Sequence, residues 1–228
     1  MLEWTRHEVG HGVIVESAIV GFAQANCYIL GCATTHTGAI IDPGTDTREE
    51  RADVVAEVAR LGLLICYIMN THGHPDHFSG NDFLKRALGG EVCIHELDGL
   101  KLTDPVRNAS RLFGLDIYVR PADHLLKDGE ALAIGDVNLT VLHVPGHSAG
   151  GAAFLGKGFV FTGDTLMAGA IGRSDLPCSS DENLIAYDVL LASIRERLMT
   201  LPDDTMVLPG HGEVTTIGDE RFTNPFVR

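Results

Sequence analysis

The feature that most constrains this 228-residue chain is a histidine-rich loop that directly follows an apolar run. The run, Leu63–Met69, has the length and composition of a buried strand. The loop then places three histidines and one aspartate within residues 72–77. In α/β sheets, the loops after strand ends are where binding sites are assembled. We therefore expect a layered α/β fold with a polar site assembled in loops that follow its strands.

The spacing inside this loop predicts metal binding at two points. His72 and His74 are two residues apart, so in an extended segment their side chains point the same way and can bind one metal ion. Pro75 then bends the chain, which leaves Asp76 and His77 facing a different point. One short loop could thus serve two metal sites a few Å apart.

Three more candidate ligands occupy the same kind of position along the chain. His147, Asp164 and His211 each come just after an apolar strand-like run, and each is directly preceded by a glycine. A glycine lets the backbone approach a site closely, because it has no Cβ. Taken alone, each of these three residues would more often have a structural role than bind a metal. Their coincidence with the histidine loop predicts that all of them belong to one site.

The hydrophobic pattern predicts one domain over residues 1–228, built from two similar halves. The segment Glu96–Arg120 is expected to be irregular to weakly helical. The predicted strands are Val13–Val20, Cys27–Leu30, Ala39–Ile41, Leu63–Met69, Glu91–His95, Ala131–Ile134, Val137–Val144, Ala152–Leu155, Phe159–Thr162 and Thr205–Leu208.

Three helices are predicted, two of them from capping boxes. The first box begins at Thr47 and opens a helix that Gly62 ends; the second begins at Ser179 and opens a helix through Leu198. Asn81–Leu88 is a shorter predicted helix. The expected apolar faces are Val54, Val55, Val58 and Leu61 in the first helix, and Leu184, Leu191, Ile194 and Leu198 in the last.

Composition excludes several classes of partner. The chain has 17 basic and 31 acidic residues, for a net charge of −14, and no dense Lys/Arg cluster, so nucleic acid is not expected as a partner. No run approaches the length of a membrane span, and the first residues lack the apolar core of a signal peptide. The five cysteines lack a paired C-x-x-C spacing, which favours reduced thiols and a cytoplasmic location.

In combination, the H-x-H-x-D-H loop, the later histidine and aspartate, and the final Gly210-His211-Gly212 resemble the metallo-β-lactamase fold superfamily. The resemblance implies an αββα sandwich of two mixed sheets, in the α/β (α+β) class, with metals at one edge. It also implies that Asp164 bridges two metal ions and that Asp42 supports the site from behind the ligands. The implied ligands are His72, His74 and His147 for one metal, and Asp76, His77 and His211 for the other.

Within the superfamily, the glycine-rich segment Gly172–Pro177 and the tail Thr215–Phe226 resemble short bacterial glyoxalase II-like proteins. These are hydroxyacylglutathione hydrolases, which cleave the thioester of S-lactoylglutathione. The two-domain members carry C-terminal helices that hold glutathione, whereas only 17 residues follow His211 here. The natural substrate is therefore left open. Arg173 is the cationic residue expected near the mouth of the site, either contacting substrate or bracing the glycine loop.

This resemblance implies a hydrolytic mechanism for a small-molecule thioester. A ligand set of imidazoles and carboxylates without thiolate allows zinc, iron or manganese, with zinc favoured. Two such cations can share a water and lower its pKa toward neutrality, so that a bridging hydroxide attacks the carbonyl. Asp76 would hold or orient the proton of that nucleophile. The thiolate leaves without a general acid.

Other activities remain open from the sequence alone. The main alternative is a persulfide dioxygenase of the same superfamily, which would use one iron on His72, His147 and Asp164. A β-lactamase is disfavoured because no export signal is evident, and a nuclease is disfavoured by the negative charge. A metal-binding module without activity is the remaining alternative. The oligomeric state cannot be predicted.

Overall fold

The computed structural model describes residues 1–175 and 186–227, and these form two mixed β-sheets with helices on their outer faces. Strands β1 to β4 of the first sheet run antiparallel, and β4 to β7 run parallel. Within the described residues this sheet has seven strands in chain order: β1 (Thr5–His7), β2 (Val13–Val20), β3 (Ala25–Cys32), β4 (Thr37–Ile41), β5 (Leu64–Met69), β6 (Glu91–His95) and β7 (His124–Leu126).

The second sheet is assembled mostly from hairpins in the C-terminal half. Its neighbours are antiparallel except for β11 and β14, which pair in parallel. In spatial order its described strands are β15 (Thr215–Thr216), β14 (Met206–Pro209), β11 (Phe159–Gly163), β10 (Ala152–Gly156), β9 (Val137–His143) and β8 (Ala131–Ile134). A separate small ribbon joins β12 (Leu166–Met167) to β13 (Ala170–Ile171).

The helices cover the outer faces of both sheets. Parallel neighbours need a crossover connection, which is where α1 (Arg48–Leu61) and α3 (Asn81–Leu88) occur. The other described helices are α2 (Pro75–Phe78), α4 (Ala186–Ser193), the π-helical turn Ile194–Leu198 that continues α4, α5 (Ile217–Thr223), and two 3₁₀ segments, Glu96–Leu102 and Ser110–Phe113. None of the described helices has the length and apolar character needed to cross a bilayer.

Three apolar layers hold these elements together. Tyr28, Phe154 and Phe161 belong to the layer between the two sheets. The other layers are Val54 and Val58 of α1 with Ile40 outside the first sheet, and Leu190 and Ile194 with Val160 outside the second. This arrangement is the predicted four-layer αββα sandwich.

Local sequence signals placed α1 correctly. The Thr47 hydroxyl accepts a hydrogen bond from the Glu50 N–H at 3.1 Å, and the Glu50 carboxylate accepts one from the Thr47 N–H at 3.0 Å. The helix ends at Gly62, whose φ of 66° is in the left-handed region that favours glycine. The predicted capping box and stop are thus confirmed.

The last predicted helix differs from the structure. Its Ser179 cap and Leu184 lie outside the described residues. Leu191, predicted on the buried face, is only half-buried, and Leu190 is fully buried in its place. Leu190, Ile194 and Leu198 are four apart and so share one helix face, and the burial predicted for Ile194 and Leu198 is confirmed.

Candidate metal centre

All seven predicted metal ligands lie at the same edge of the two sheets, just after the ends of strands. His72 and His74 follow β5, and Asp76 and His77 lie in the short helix α2, which begins at Pro75. The others come from the second sheet: His147 follows β9, Asp164 follows β11 and His211 follows β14. The edge of the sandwich therefore collects groups that are up to 139 positions apart in the sequence, from 72 to 211.

The first cluster consists of three buried imidazoles. His74 Nδ1 lies 2.9 Å from His147 Nε2, which in turn lies 3.2 Å from His72 Nε2. Their ligand atoms all lie within 4.8 Å of one another. Three ring nitrogens that face a common point are the geometry of a metal site with imidazole ligands.

The second cluster is more open and contains a carboxylate. His211 Nε2 lies 3.3 Å from Asp76 Oδ2, and His77 Nε2 lies 3.5 Å from the same oxygen. These three residues also form a group whose ligand atoms lie within 4.8 Å of one another.

Asp164 lies between the two clusters. One oxygen, Oδ1, is 3.5 Å from His77 Nε2, and the other, Oδ2, is 3.5 Å from His147 Nε2. Oδ2 is also 3.6 Å from His211 Nε2. The carboxylate thus faces ring nitrogens of both clusters, which is the position a bridging ligand requires.

Hydrogen bonds on the far side of four imidazoles fix their tautomers. The Nδ1 atoms of His147, His77 and His211 face the Arg173 carbonyl (2.7 Å), the Asp42 carboxylate (3.1 Å) and the Gln24 carbonyl (3.3 Å). His72 Nδ1 lies 3.1 Å from the Thr71 hydroxyl, which itself donates to Asp42. Each partner must accept a proton from Nδ1, so each Nε2 presents a lone pair to the site.

Asp42 is the residue that connects these supports. Its carboxylate accepts hydrogen bonds from the Thr71 N–H at 2.7 Å, the Thr71 hydroxyl at 2.6 Å and His77 Nδ1 at 3.1 Å. It is buried, and its φ of 50° is unusual for a residue other than glycine. Such strain is found at functional sites, where surrounding contacts hold it.

The donor set fits divalent cations. The ring nitrogens of the first cluster converge on one point. Among the described residues, His77 Nε2 and Asp164 Oδ1 are buried atoms without a hydrogen-bond partner. Buried polar atoms are normally satisfied, so a cation bound between them would explain both.

The electrostatics of the first cluster also suit a metal. Burial lowers the pKa of His72 well below its usual value, lowers that of His74 to about 3 and lowers that of His147. These imidazoles are therefore neutral at physiological pH, which is the form that binds a metal ion.

In the second cluster, nearby carboxylates raise the pKa of the imidazoles, the reverse of the shift in the first cluster. Burial lowers the pKa of His77, but the surrounding carboxylates, led by Asp164 and Asp76, raise it well above its usual value. Burial likewise lowers the pKa of His211, and the same two carboxylates raise it. Positive charge is therefore stabilised at this point, and a divalent cation would be stabilised in place of the proton.

Several contacts that shape the site were not predicted from sequence. The Asn26 side chain of β3 donates to the carbonyls of Pro209 and Gly212, which holds the His211 loop against the first sheet. Asp98, which is fully buried, accepts hydrogen bonds from the N–H groups of Gly73 and Gly150, both at 2.8 Å. One carboxylate thereby joins the histidine loop to the His147 loop. No pattern in the sequence marks either residue, because their partners are backbone atoms far away along the chain.

A cavity of about 400 Å³ opens above the ligand cluster. Arg173 lines it, but its guanidinium is bound by the Asp175 carboxylate at 2.9 and 3.1 Å. Its backbone carbonyl faces His147 Nδ1 at 2.7 Å and orients that ring, whereas bracing of the glycine loop by the Arg173 side chain stays a prediction. A substrate contact of its side chain stays a prediction.

Comparisons with known proteins agree with this geometry. Residues 20–211 match the model of the Metallo-beta-lactamase superfamily. The hydroxyacylglutathione hydrolase GloC of Haemophilus influenzae is 34% identical over 209 residues, covering 90% of this chain and 93% of that protein.

Two solved structures are similar over most of their length. One is BLEG-1 B3 metallo-beta-lactamase, with a TM-score of 0.84, 34% identity, and coverage of 93% of this chain and 99% of that one. The other is TTHA1623 in a di-iron-bound form, with a TM-score of 0.75, 37% identity, and coverage of 91% and 98%. The chain therefore belongs to the metallo-beta-lactamase superfamily.

Proposed function

We propose that the protein is a metal-dependent thioesterase that holds two divalent metal ions and cleaves S-lactoylglutathione-type thioesters. The observation that carries the proposal is the position of Asp164 between two clusters of ligand atoms, each with three protein groups. The similarity to GloC supports the choice of a hydroxyacylglutathione thioester as substrate. The di-iron form of TTHA1623 supports a site for two metals, with zinc, iron and manganese as the candidates.

In this proposal His72, His74 and His147 would hold one ion, and Asp76, His77 and His211 would hold the other. Asp164 would be a ligand of both. Two bound divalent ions supply Lewis acidity and lower the pKa of water toward neutrality. Residues of the protein orient the ligands. Asp42, Thr71 and the Arg173 carbonyl hold the imidazoles in the tautomers that leave Nε2 free.

Asp76 has the properties of a group that orients the attacking water. It lines the cavity, and although burial raises its pKa, His77 and His211 lower it well below its usual value. Asp76 is thus ionised at neutral pH and can accept a hydrogen bond from water. The water oxygen bonds to the thioester carbon and the C–S bond breaks. One water proton ends on the departing sulfur and the other is released to solvent, so the products are a carboxylate and a thiol. The thiolate is stable enough to leave without a general acid.

The test is metal analysis joined to a panel of thioesters on the same purified sample. About two ions per chain, with metal-dependent release of thiol from S-lactoylglutathione, is the expected result. Activity is expected to rise with pH through one group near neutrality. One tightly held iron, with oxygen consumption on glutathione persulfide and no thioester cleavage, would instead support the dioxygenase.

No cysteine nucleophile is part of this mechanism. The cysteine nearest the glycine-rich segment, Cys178, lies outside the described residues, and Cys178→Ser is expected to leave the rate within about a few-fold. Covalent trapping of an acyl group on any cysteine would contradict attack by water.

A second candidate is hydrolysis of a β-lactam, which the similarity to BLEG-1 favours. It would use the same metal cluster but expel an amide nitrogen, which needs a proton on leaving. A cephalosporin in the same panel separates the two activities. Faster turnover of the cephalosporin than of every thioester would make this candidate the better one.

A further inference from the structure

The cavity above the ligand cluster has a polar floor and an apolar mouth. His74, Asp76 and His211 are on the floor, and two phenylalanines line the mouth from separate parts of the chain. Phe22 lies in the turn between β2 and β3, and Phe113 ends the second 3₁₀ segment. Met167 and Ile171 of the small β12–β13 ribbon complete the apolar side.

Both phenylalanines are exposed although they line a cavity. Phe22 is 56% exposed and Phe113 is 61% exposed. The Phe22 N–H donates to the Asp46 carboxylate at 2.6 Å, which holds the turn that carries Phe22. Apolar groups that rim a concave site and are left open to solvent are typical of a binding surface.

The described lining of this mouth has few cationic side chains that could bind a carboxylate of a substrate. Among the described residues that line the cavity, Arg173 is the one Lys or Arg, and Asp175 already binds its guanidinium.

The amide of Asn108, which also lines the cavity, is used within the protein. Its Nδ2 donates to the carbonyls of Lys101 and Ile117, at 3.0 and 2.8 Å, and its Oδ1 accepts from the Ser110 N–H at 3.0 Å. The mouth therefore offers apolar contact and few polar partners.

We propose that Phe22 and Phe113 bind an uncharged, apolar group attached to the scissile thioester. This inference rests on the proposed thioesterase function but revises its preferred substrate from the glutathione thioester to less polar thioesters. Thioesters whose acyl or thiol part is apolar are then better substrates than those whose thiol carries carboxylates. The apolar group could belong to either side of the thioester, and the experiment distinguishes the two.

Two substrate series make the test. In the acyl series, N-acetylcysteamine carries acetyl, butyryl or hexanoyl groups; in the thiol series, one lactoyl group is carried by N-acetylcysteamine, benzyl thiol or glutathione. In the acyl series, we expect kcat/KM to rise about three- to fourfold per added methylene if the acyl side enters the cavity. The benzyl thioester is expected to exceed the glutathione thioester if the thiol side enters.

Variants connect this preference to the two rings. Phe22→Ser and Phe113→Ser are each expected to flatten the rising series. The matched control is Phe222→Ser, since Phe222 is 67% exposed but does not line the cavity, and it should leave the series unchanged. A flat or falling dependence on apolar size in both series, or a lower KM for the glutathione thioester than for the neutral ones, would overturn the inference.

A binding measurement separates this inference from the proposed function. The hexyl thioether of N-acetylcysteamine cannot be hydrolysed, so calorimetry on the metal-loaded protein reports binding alone. We expect binding that weakens about fivefold or more in Phe113→Ser and not in Phe222→Ser. If no thioester is cleaved but the thioether binds in this way, the thioesterase function fails and the apolar site stands. Absence of thioether binding would contradict the apolar site itself.

Discussion

At the scale of single residues, the site depends on groups that lie behind the ligand cluster and do not face it. Asp42 accepts three hydrogen bonds, and through Thr71 and His77 it sets which nitrogen of two imidazoles is left with a lone pair. The sequence suggested a supporting role for Asp42 by resemblance. The physical reason is visible only in the structure, because Thr71 and Asp42 are 29 positions apart.

The position of Asp164 leads to a prediction about metal content. Replacing Asp164 with Ala removes a carboxylate that faces both clusters, so both metals should bind more weakly. His211→Ala should mainly empty the site of Asp76 and His77. Elemental analysis after dialysis against a weak chelator measures the two outcomes. One ion in the unaltered protein, with His211→Ala indistinguishable from it, would contradict the assignment of two sites.

A second prediction concerns Asp98, whose carboxylate accepts hydrogen bonds from backbone N–H groups of both ligand loops. Asp98→Asn keeps the size of the side chain but replaces one acceptor oxygen with an NH₂ group. One of the N–H groups of Gly73 and Gly150 then loses its partner. We expect metal affinity, measured by competition with a chelator, to fall about tenfold.

The matched control for Asp98 is Asp123→Asn. Asp123 also binds a backbone N–H, that of Val92 at 2.7 Å, and pairs with a lysine, Lys85. It directly precedes β7, and its hydrogen-bond partners Lys85 and Val92 belong to α3 and β6. A similar loss of metal affinity in both variants would show that Asp98 has no positioning role and contributes only to general stability.

At the scale of helices and strands, local signals predicted most elements and failed where tertiary contacts decide. The Thr47 capping box and the runs of β2, β5 and β9 are strong patterns that the structure confirms. The strands β1 and β15, of three and two residues, exist because a neighbouring strand pairs with them. No periodicity can be detected in so short a segment.

Glu16 links three elements and gives a prediction about pH. Its buried carboxylate on β2 accepts hydrogen bonds from Arg6 of β1 and Arg60 of α1, each at 2.8 Å. Burial raises the pKa of Glu16, but its hydrogen bonds lower it below the usual value. A lowered folded-state pKa means that this stabilisation is present above about pH 4.5 and is lost as the pH falls through the folded-state pKa.

Urea unfolding at several pH values tests this link. At pH 7, Glu16→Gln should lower the free energy of unfolding by about 1 kcal/mol, since both arginines are partly exposed and their attraction is screened. The difference from the unaltered protein should shrink as the pH approaches 3. Glu8→Gln, at an exposed position, should leave the free energy of unfolding unchanged at both pH 7 and pH 3. A difference for Glu16→Gln that persists unchanged at pH 3 would contradict the ion-pair explanation.

At the scale of the whole molecule, the site is a product of topology. The sequence predicted the ligand types from their positions after strands, and the two-sheet fold brings those strand ends to one edge. The cavity could not be predicted in this way. Phe22 and Phe113 lie in a turn and in the irregular segment Glu96–Arg120, where the hydrophobic pattern carries no information about which side chains meet.

The net charge of the molecule gives the last prediction. Two divalent ions would add four positive charges to −14, which still leaves −10. S-lactoylglutathione carries two carboxylates and one ammonium group, so this field opposes its approach. The Debye length falls from about 30 Å at 0.01 M ionic strength to about 8 Å at 0.15 M, which screens the repulsion. Raising the salt concentration over this range should therefore increase kcat/KM for S-lactoylglutathione about two- to fivefold, mainly through a lower KM.

An uncharged control isolates the electrostatic effect. The lactoyl thioester of N-acetylcysteamine bears no charge, so its kcat/KM should stay constant over the same range of salt. If salt instead lowers kcat/KM for the glutathione thioester alone, attraction must dominate at close range, and a cationic pocket for the glutathione carboxylates must exist. The described lining of the cavity argues against such a pocket, because Arg173 is its one Lys or Arg and already binds Asp175.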